Sequence, residues 1–291
     1  MSDDSLLDAP WIDTRQVGEA EVTIVSEGGL LWSPGFTVSE ETWRAVLPEA
    51  DAQGRLWIGL NVAIVRLGDA LIVIDPGLDD PSSQWQRDLA TVWPDWPTRR
   101  TPGLAVALDQ LGITPQDVTH VVITHPHGDH YAGVAYEVGG GIAPRFPHAR
   151  HFIGREDWEG NPARQQAGTA LERLEMIDRL GLLELIDTPR EIAPGITIWP
   201  APGETPGHCL VDVVSNKERF LFLGDLVHLA CEVEHDTWMP PNANAATLAP
   251  TRERVFAESA DEGPLLATAH EHFPPWGRII RDEDRYRWER V

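Results

Sequence analysis

The segment THPHGDH at 124–130 follows directly on the apolar run VVI, and it limits what this chain can fold into. The chain has eleven histidines, and three of them, His125, His127 and His130, fall here beside Asp129. Packing does not explain so many polar donors at the end of a buried strand. Imidazoles and carboxylates at this spacing are typical metal ligands. A polar loop with coincidental histidines is the plainer reading, and it weakens once the rest of the chain is searched for partners.

Three further apolar runs end in the same way. LIVID ends at Asp75, FLFLGD at Asp225 and LLATAH at His270, while His208 sits in the turn TPGHC between two strand-like runs. Sheets align the ends of several strands along one rim, and loops on such a rim are where sites are built. His125 and His127 alternate along an extended segment and can bind one ion together. Gly128 allows a tight turn, so that Asp129 and His130 address a second ion, and Asp225 can bridge the two. Ions in such a pair lie about 3.5–4 Å apart and share a hydroxide whose parent water has its pKa lowered toward ~7. Two divalent ions, zinc before manganese or iron, are therefore the expected cofactor. Asp75 reads as the partner that orients a ligand histidine, against the simpler reading of a turn residue in DPG. His270 is preferred to His272 as a ligand because it ends the apolar run directly.

Around these points the chain alternates strands and helices. EVTIVS (21–26), NVAIVRL (61–67), LIVIDPG (71–77), VTHVVIT (118–124), ARHFIG (149–154), ITIWPAPG (196–203), LVDVVS (210–215), FLFLGDLVH (220–228) and PLLATAH (264–270) read as strands or strands with their following turns. Gly68-Asp69 suits a tight hairpin. Helices are expected over 101–111, 163–180 and 248–260, the last with Pro250 near its first turn. Residues 27–57 read as irregular because Gly28, Gly29, Pro34, Gly35 and Pro48 interrupt any period. The expected organisation is an N-terminal extension over 1–20 and one α/β domain over 21–291.

HPHGDH, with IDPG at 74–77, TPGH at 205–208, GD at 224–225 and AH at 269–270 in that order, resembles the metallo-β-lactamase superfamily. The resemblance implies a four-layer αβ/βα sandwich of two mixed β-sheets flanked by helices, with the metal site at one end between the sheets. It implies that His125, His127 and His208 hold the first metal, that Asp129, His130 and His270 hold the second, and that Asp225 bridges. GDLVHLACEVEHD (224–236), the long segment before the first core strand and the ending HEHFPPWGRI look closest to the acyl-homoserine lactonase and methyl parathion hydrolase branch. Two departures stand out. GETPGH carries Glu204 where the family often has a histidine that is usually not a ligand, and His272 stands where related chains often have an apolar residue or proline.

The expected function is that of a metallo-hydrolase of the lactonase, esterase or phosphotriesterase kind. Hydroxide bound to both metals attacks an ester, lactone or related neutral centre. Asp129 and His228 are the candidate catalytic side chains, and His228, three residues past Asp225, can polarise a carbonyl or protonate a leaving group. Trp32, Phe36, Trp43 and Trp57 offer either an apolar wall over a neutral, partly apolar small molecule, a homodimer contact, or core packing. The alternatives are an iron-dependent oxidoreductase of the same fold, such as a persulfide dioxygenase, and a thioester or β-lactam hydrolase.

Bulk properties trim the choices. A net charge of −23 disfavours nucleic acid and anionic membranes as partners. Cys209 and Cys231 are too few for a disulfide framework. The absence of a long apolar run and of a basic, apolar start makes a cytoplasmic location the default expectation.

Overall fold

The computed structural model describes residues 10–92, 94–160, 169–283 and 285–291. The first part of the chain supplies β1 (Ile12–Val17), β2 (Ala20–Trp32), β3 (Leu56–Leu67), β4 (Ala70–Ile74), β5 (Thr98–Arg100), β6 (His120–Val122), β7 (Ala135–Val138), β8 (Gly141–Pro144), β9 (Arg150–Gly154) and β10 (Leu183–Ile186). Seven of these form one path in the order β1-β2-β3-β4-β6-β9-β10, β5 pairs with β2, and β7 and β8 form a separate hairpin. The second sheet follows chain order through β11 (Arg190–Ala193), β12 (Ile196–Pro200), β13 (Cys209–Ser215), β14 (Glu218–Phe222), β15 (Leu265–Ala267), β16 (Gly277–Asp282) and β17 (Arg285–Arg290).

The two sheets stack face to face with helices outside, because the central strands are apolar on both faces. In β4, Ile72 and Ile74 meet the other sheet, while Leu71 and Val73 pack with Leu104, Leu108, Leu174 and Ile177 from helices. In β14, Phe220 and Phe222 face the first sheet, while Leu221 faces Leu248, Val255 and Phe256 of the helix Ala245–Glu262. A strand buried on both faces reads as a continuous apolar run, which is why these strands stand out in the sequence.

Both sheets are mixed. The pairs β4/β6, β6/β9 and β9/β10 are parallel, as is β14/β15, and the other neighbours are antiparallel. Parallel neighbours end on the same side. Asp75, the 124–130 loop, Asp225 and His270 thus emerge from two parallel pairs, one in each sheet. Backbone bonds tie the rims together, from the Cys209 N–H to the Thr124 carbonyl (2.9 Å) and from the Gly59 N–H to the His270 carbonyl (2.7 Å).

Several expectations need correction. The sheet begins before residue 21, because β1 pairs with β2 from Ile12↔Val25 to Val17↔Ala20. Residues 27–57 are irregular only in part, since strand enters at both ends and a short helix covers Glu40–Val46. β2 passes through a bulge between Ser26 and Gly28 and continues to Trp32, and β3 starts at Leu56. Gly28 has φ +115°, and a Cβ there would lie 1.8 Å from the Arg99 carbonyl oxygen, so the glycine lets β5 cross closely rather than breaking the strand. The helix expected at 248 starts at Ala245, with the Asn244 side chain accepting the Ala246 N–H, and it runs through Pro250. Near the end of the chain β16 and β17 pair antiparallel, from Gly277↔Arg290 to Asp282↔Arg285. The helix expected over 163–180 is seen as Thr169–Arg179, its start lying outside the described residues. No helix among the described residues is long and apolar enough to cross a membrane.

Beneath β4 the fully buried Asp79 accepts from Arg145 (3.2 Å) and Arg173 (2.6 Å), both of them buried. Removing the acid leaves two cations in a dry interior. Asp79→Ala should lower the unfolding free energy by about 3–5 kcal/mol in urea titrations. A loss below about 1 kcal/mol would mean that water reaches the arginines.

Candidate metal centre

The 124–130 loop is held in place by Asp75. Its carboxylate accepts from the Thr124 N–H (2.7 Å) and hydroxyl (2.8 Å), and from His130 Nδ1 (2.9 Å). Since a carboxylate only accepts, the His130 proton sits on Nδ1 and Nε2 is left with its lone pair. The same argument applies around the site. His270 Nδ1 donates to the Gly59 carbonyl (2.8 Å), and His208 Nδ1 donates to the Ala201 carbonyl (3.0 Å). His125 Nδ1 faces the Thr124 hydroxyl (3.1 Å), whose own proton goes to Asp75. When neutral, each of these four imidazoles turns an unprotonated Nε2 inward. Burial opposes the charge on His130, but Asp225, Asp129 and Asp75 outweigh it and hold that ring well above its ordinary value, so a cation bound there displaces a proton. His127 Nδ1 lies 2.8 Å from His125 Nε2.

The inward atoms surround Asp225. Its Oδ2 is 3.5 Å from His125 Nε2, 3.4 Å from His130 Nε2, 3.4 Å from His228 Nε2 and 3.2 Å from His270 Nε2. Its N–H donates to His208 Nε2 (3.1 Å). Two clusters meet here, His125, His127, Glu204 and Asp225 in one, and Asp129, His130 and His270 in the other. Gly128 opens the short helical turn Gly128–Tyr131 that swings Asp129 and His130 to the second cluster. Several buried atoms, among them His130 Nε2, Asp225 Oδ1 and Glu204 Oε2, have no hydrogen-bond partner among the described residues. Lone pairs crowded together with unpartnered carboxylate oxygens fit a pair of divalent cations.

The electrostatics follow from this crowding. Burial, and then the imidazoles of His130 and His127, hold His125 well below its ordinary value. Burial likewise pushes His208 down to about 4. His127, with a third of its side chain open to the cavity, moves in the same direction. Neutral imidazoles are what a cation requires. Burial opposes the charge on Asp225, but the histidines around it, in the protonated form that a site without cations allows, outweigh it, His270 and His130 first, and hold the carboxyl well below the usual range. Burial also works against the charged form of His228, yet Asp225 and then Glu232 hold it up at about 9.

His125, His127 and Asp225 meet in one cluster and Asp129, His130 and His270 in the other, with Asp75 behind His130, whereas His208 belongs to neither and stands beside them with its Nε2 accepting the Asp225 N–H. His228 joins them at the wall of the cavity. His272 does not, its half-exposed ring lying against Glu271. Of the tryptophans, Trp32 stacks on His228 (centroids 4.9 Å, 17°) and lines the cavity, whereas Trp43 is core and Trp57 lies under Arg99. The cavity, about 460 Å³, has Leu30, Ile58, Pro240 and Pro241 on its walls and the two clusters at its floor.

Three acids escaped the sequence reading. Glu204 points into the first cluster, where burial pushes its carboxyl up to about 7; the altered GETPGH motif was the available signal. Glu232 accepts the backbone N–H of His228 (2.8 Å) and is gripped by Arg252 (2.5 Å). Asp157 accepts from the Thr205 hydroxyl (2.6 Å) and the Gly207 N–H (2.8 Å), fixing the turn that carries His208.

The sequence pattern of the metallo-beta-lactamase superfamily matches residues 57–270, and the chain belongs to that superfamily. The N-acyl homoserine lactonase AttM of Azorhizobium caulinodans is 32% identical over 80 residues, which is 28% of this chain and 26% of that relative. The chain thus matches only about a quarter of the relative's length. Solved structures of the same fold include the hydrolase AbOPH (TM-score 0.79, 20% identity, 97% of this chain and 98% of that one). AidC, a dizinc quorum-quenching lactonase in complex with a product, superposes with TM-score 0.78 at 20% identity over 96% of this chain and 97% of its own. A probable metal-dependent hydrolase from Staphylococcus aureus gives 0.80 at 16% over 95% and 99%.

Asp157 gives a pH signature. Burial raises its carboxyl to about 6, partly offset by Thr205 and Gly207. A carboxyl raised on folding contributes stability that is complete below about pH 4 and is lost as pH rises through about 6. Between pH 4 and pH 7.5 wild type should therefore lose about 2–3 kcal/mol relative to Asp157→Asn, whose missing acceptor only adds a constant offset. Parallel stability profiles for the two proteins would contradict this.

Proposed function

We propose that this protein is a metal-dependent hydrolase that cleaves a neutral, partly apolar ester, lactone or related substrate. His125, His127 and His208 would hold one divalent cation, Asp129, His130 and His270 a second, and Asp225 would bridge them. The carrying observation is the convergence of imidazole nitrogens and carboxylates at the floor of an apolar-walled cavity. The dizinc lactonase of the same fold and the partial match to a homoserine lactonase support the lactone class. When bound, such a cation pair supplies a hydroxide nucleophile near neutral pH and polarises the electrophilic oxygen.

The chain's own residues do the rest. Asp75 and Thr124 lock the loop, so the ligand nitrogens keep their direction as the substrate arrives. Trp32 stacks on the flat of the His228 ring, and Glu232 lies 3.5 Å from its Nδ1. That leaves protonated Nε2 at the cavity wall, 3.4 Å from Asp225 Oδ2. From there His228 donates to a carbonyl oxygen and then passes its proton to the leaving alkoxide. Asp129, partly open to the cavity, accepts a proton from the attacking water. Leu30, Ile58 and Trp32 take the apolar part of the substrate and exclude water from it.

The test is turnover. Protein reconstituted with zinc or manganese should hydrolyse members of a panel of lactones, aryl esters and phosphotriesters, and His228→Gln should lower kcat by about 100-fold. Silence across the whole panel, or oxygen consumption by the iron-loaded protein in its place, would overturn the proposal.

A further inference from the structure

Glu204, in the segment GETPGH, is placed like a ligand. Its residue is only 7% exposed. Oε1 lies 3.7 Å from His127 Nδ1, and a carboxylate oxygen is within 4.8 Å of the ligand atoms of His125, His127 and Asp225. Oε2 is buried without a hydrogen-bond partner.

Other buried acids are satisfied differently. Glu27 accepts from the N–H groups of Leu78 and Leu104, Asp79 meets two arginines, and Asp157 accepts from Thr205 and Gly207. Among the described residues, the buried carboxylates left with an unpartnered oxygen are Glu204 and Asp225, and both face the same cluster. A buried acid without a hydrogen-bond partner either keeps its proton or is met by a cation, and the imidazole nitrogens gathered around this one supply the other donors a cation needs.

We infer that Glu204 is a ligand of the first cation, adding an anionic oxygen donor to the imidazoles of His125, His127 and His208. The inference rests on the two-cation reading above. Zinc is usually satisfied by four ligands, whereas oxygen-rich, higher-coordinate sites suit manganese or iron(II). Glu204 therefore biases the first position of this chain toward cations that accept five or six donors.

The experiment is a cobalt(II) titration of the apoprotein, read by calorimetry and by the visible absorption of the bound ion. Wild type should take up two cobalt ions. In Glu204→Gln one dissociation constant should rise by more than the roughly 10–100-fold typical of losing an outer partner, with the other unchanged. The visible bands should intensify as one ion moves toward four-coordination. If circular dichroism shows that Glu204→Gln does not fold, Glu204→Asp carries the test, and its retracted carboxylate should weaken the same ion. Unchanged constants and an unchanged spectrum would overturn the ligand assignment. Failure of wild type to bind two cobalt ions would instead overturn the two-cation reading.

Discussion

One carboxylate oxygen organises this molecule. Asp225 Oδ2 lies between 3.2 and 3.5 Å from nitrogens of His125, His130, His228 and His270. These residues come from three separate stretches of chain, and all are buried. Packed this tightly without cations, His130 and His228 hold protons against the Asp225 carboxylate. The same crowding of imidazoles and carboxylates fits a divalent metal site.

The fold makes that meeting geometrically cheap. Parallel neighbours β4 and β6 in one sheet, and β14 and β15 in the other, deliver their ends to one rim. Backbone bonds across the sheets set the two rims at a fixed distance. Behind the inner residues stands an outer ring, with Asp75 under His130, Asp157 under the His208 turn, and Glu232 with Arg252 under His228. Each outer acid fixes the direction of an inner side chain, so precision is built from the second layer inward.

Much of this was readable from the chain because its central strands are buried on both faces and end in donors. Asp75, His125, Asp225 and His270 each close an apolar run, and His208 sits between two. The edge strands left no such trace. β1, with the sequence IDTRQV, is half exposed and has little apolar continuity. Gly28 looked like a break because its role, admitting β5 alongside β2, depends on a strand about seventy residues away. Glu204 and Glu232 were opaque for a related reason. Their meaning lies in who faces them in space, and a carboxylate's neighbours are not written beside it in the sequence.

The central claim is that Asp225 joins two cation sites built from seven converging side chains. Elemental analysis of the chain purified without chelators tests it most directly, read against Asp225→Ala prepared identically. The account predicts two divalent cations per wild-type chain and no more than one in the variant. Two cations retained by Asp225→Ala, or none in the wild type, would contradict it.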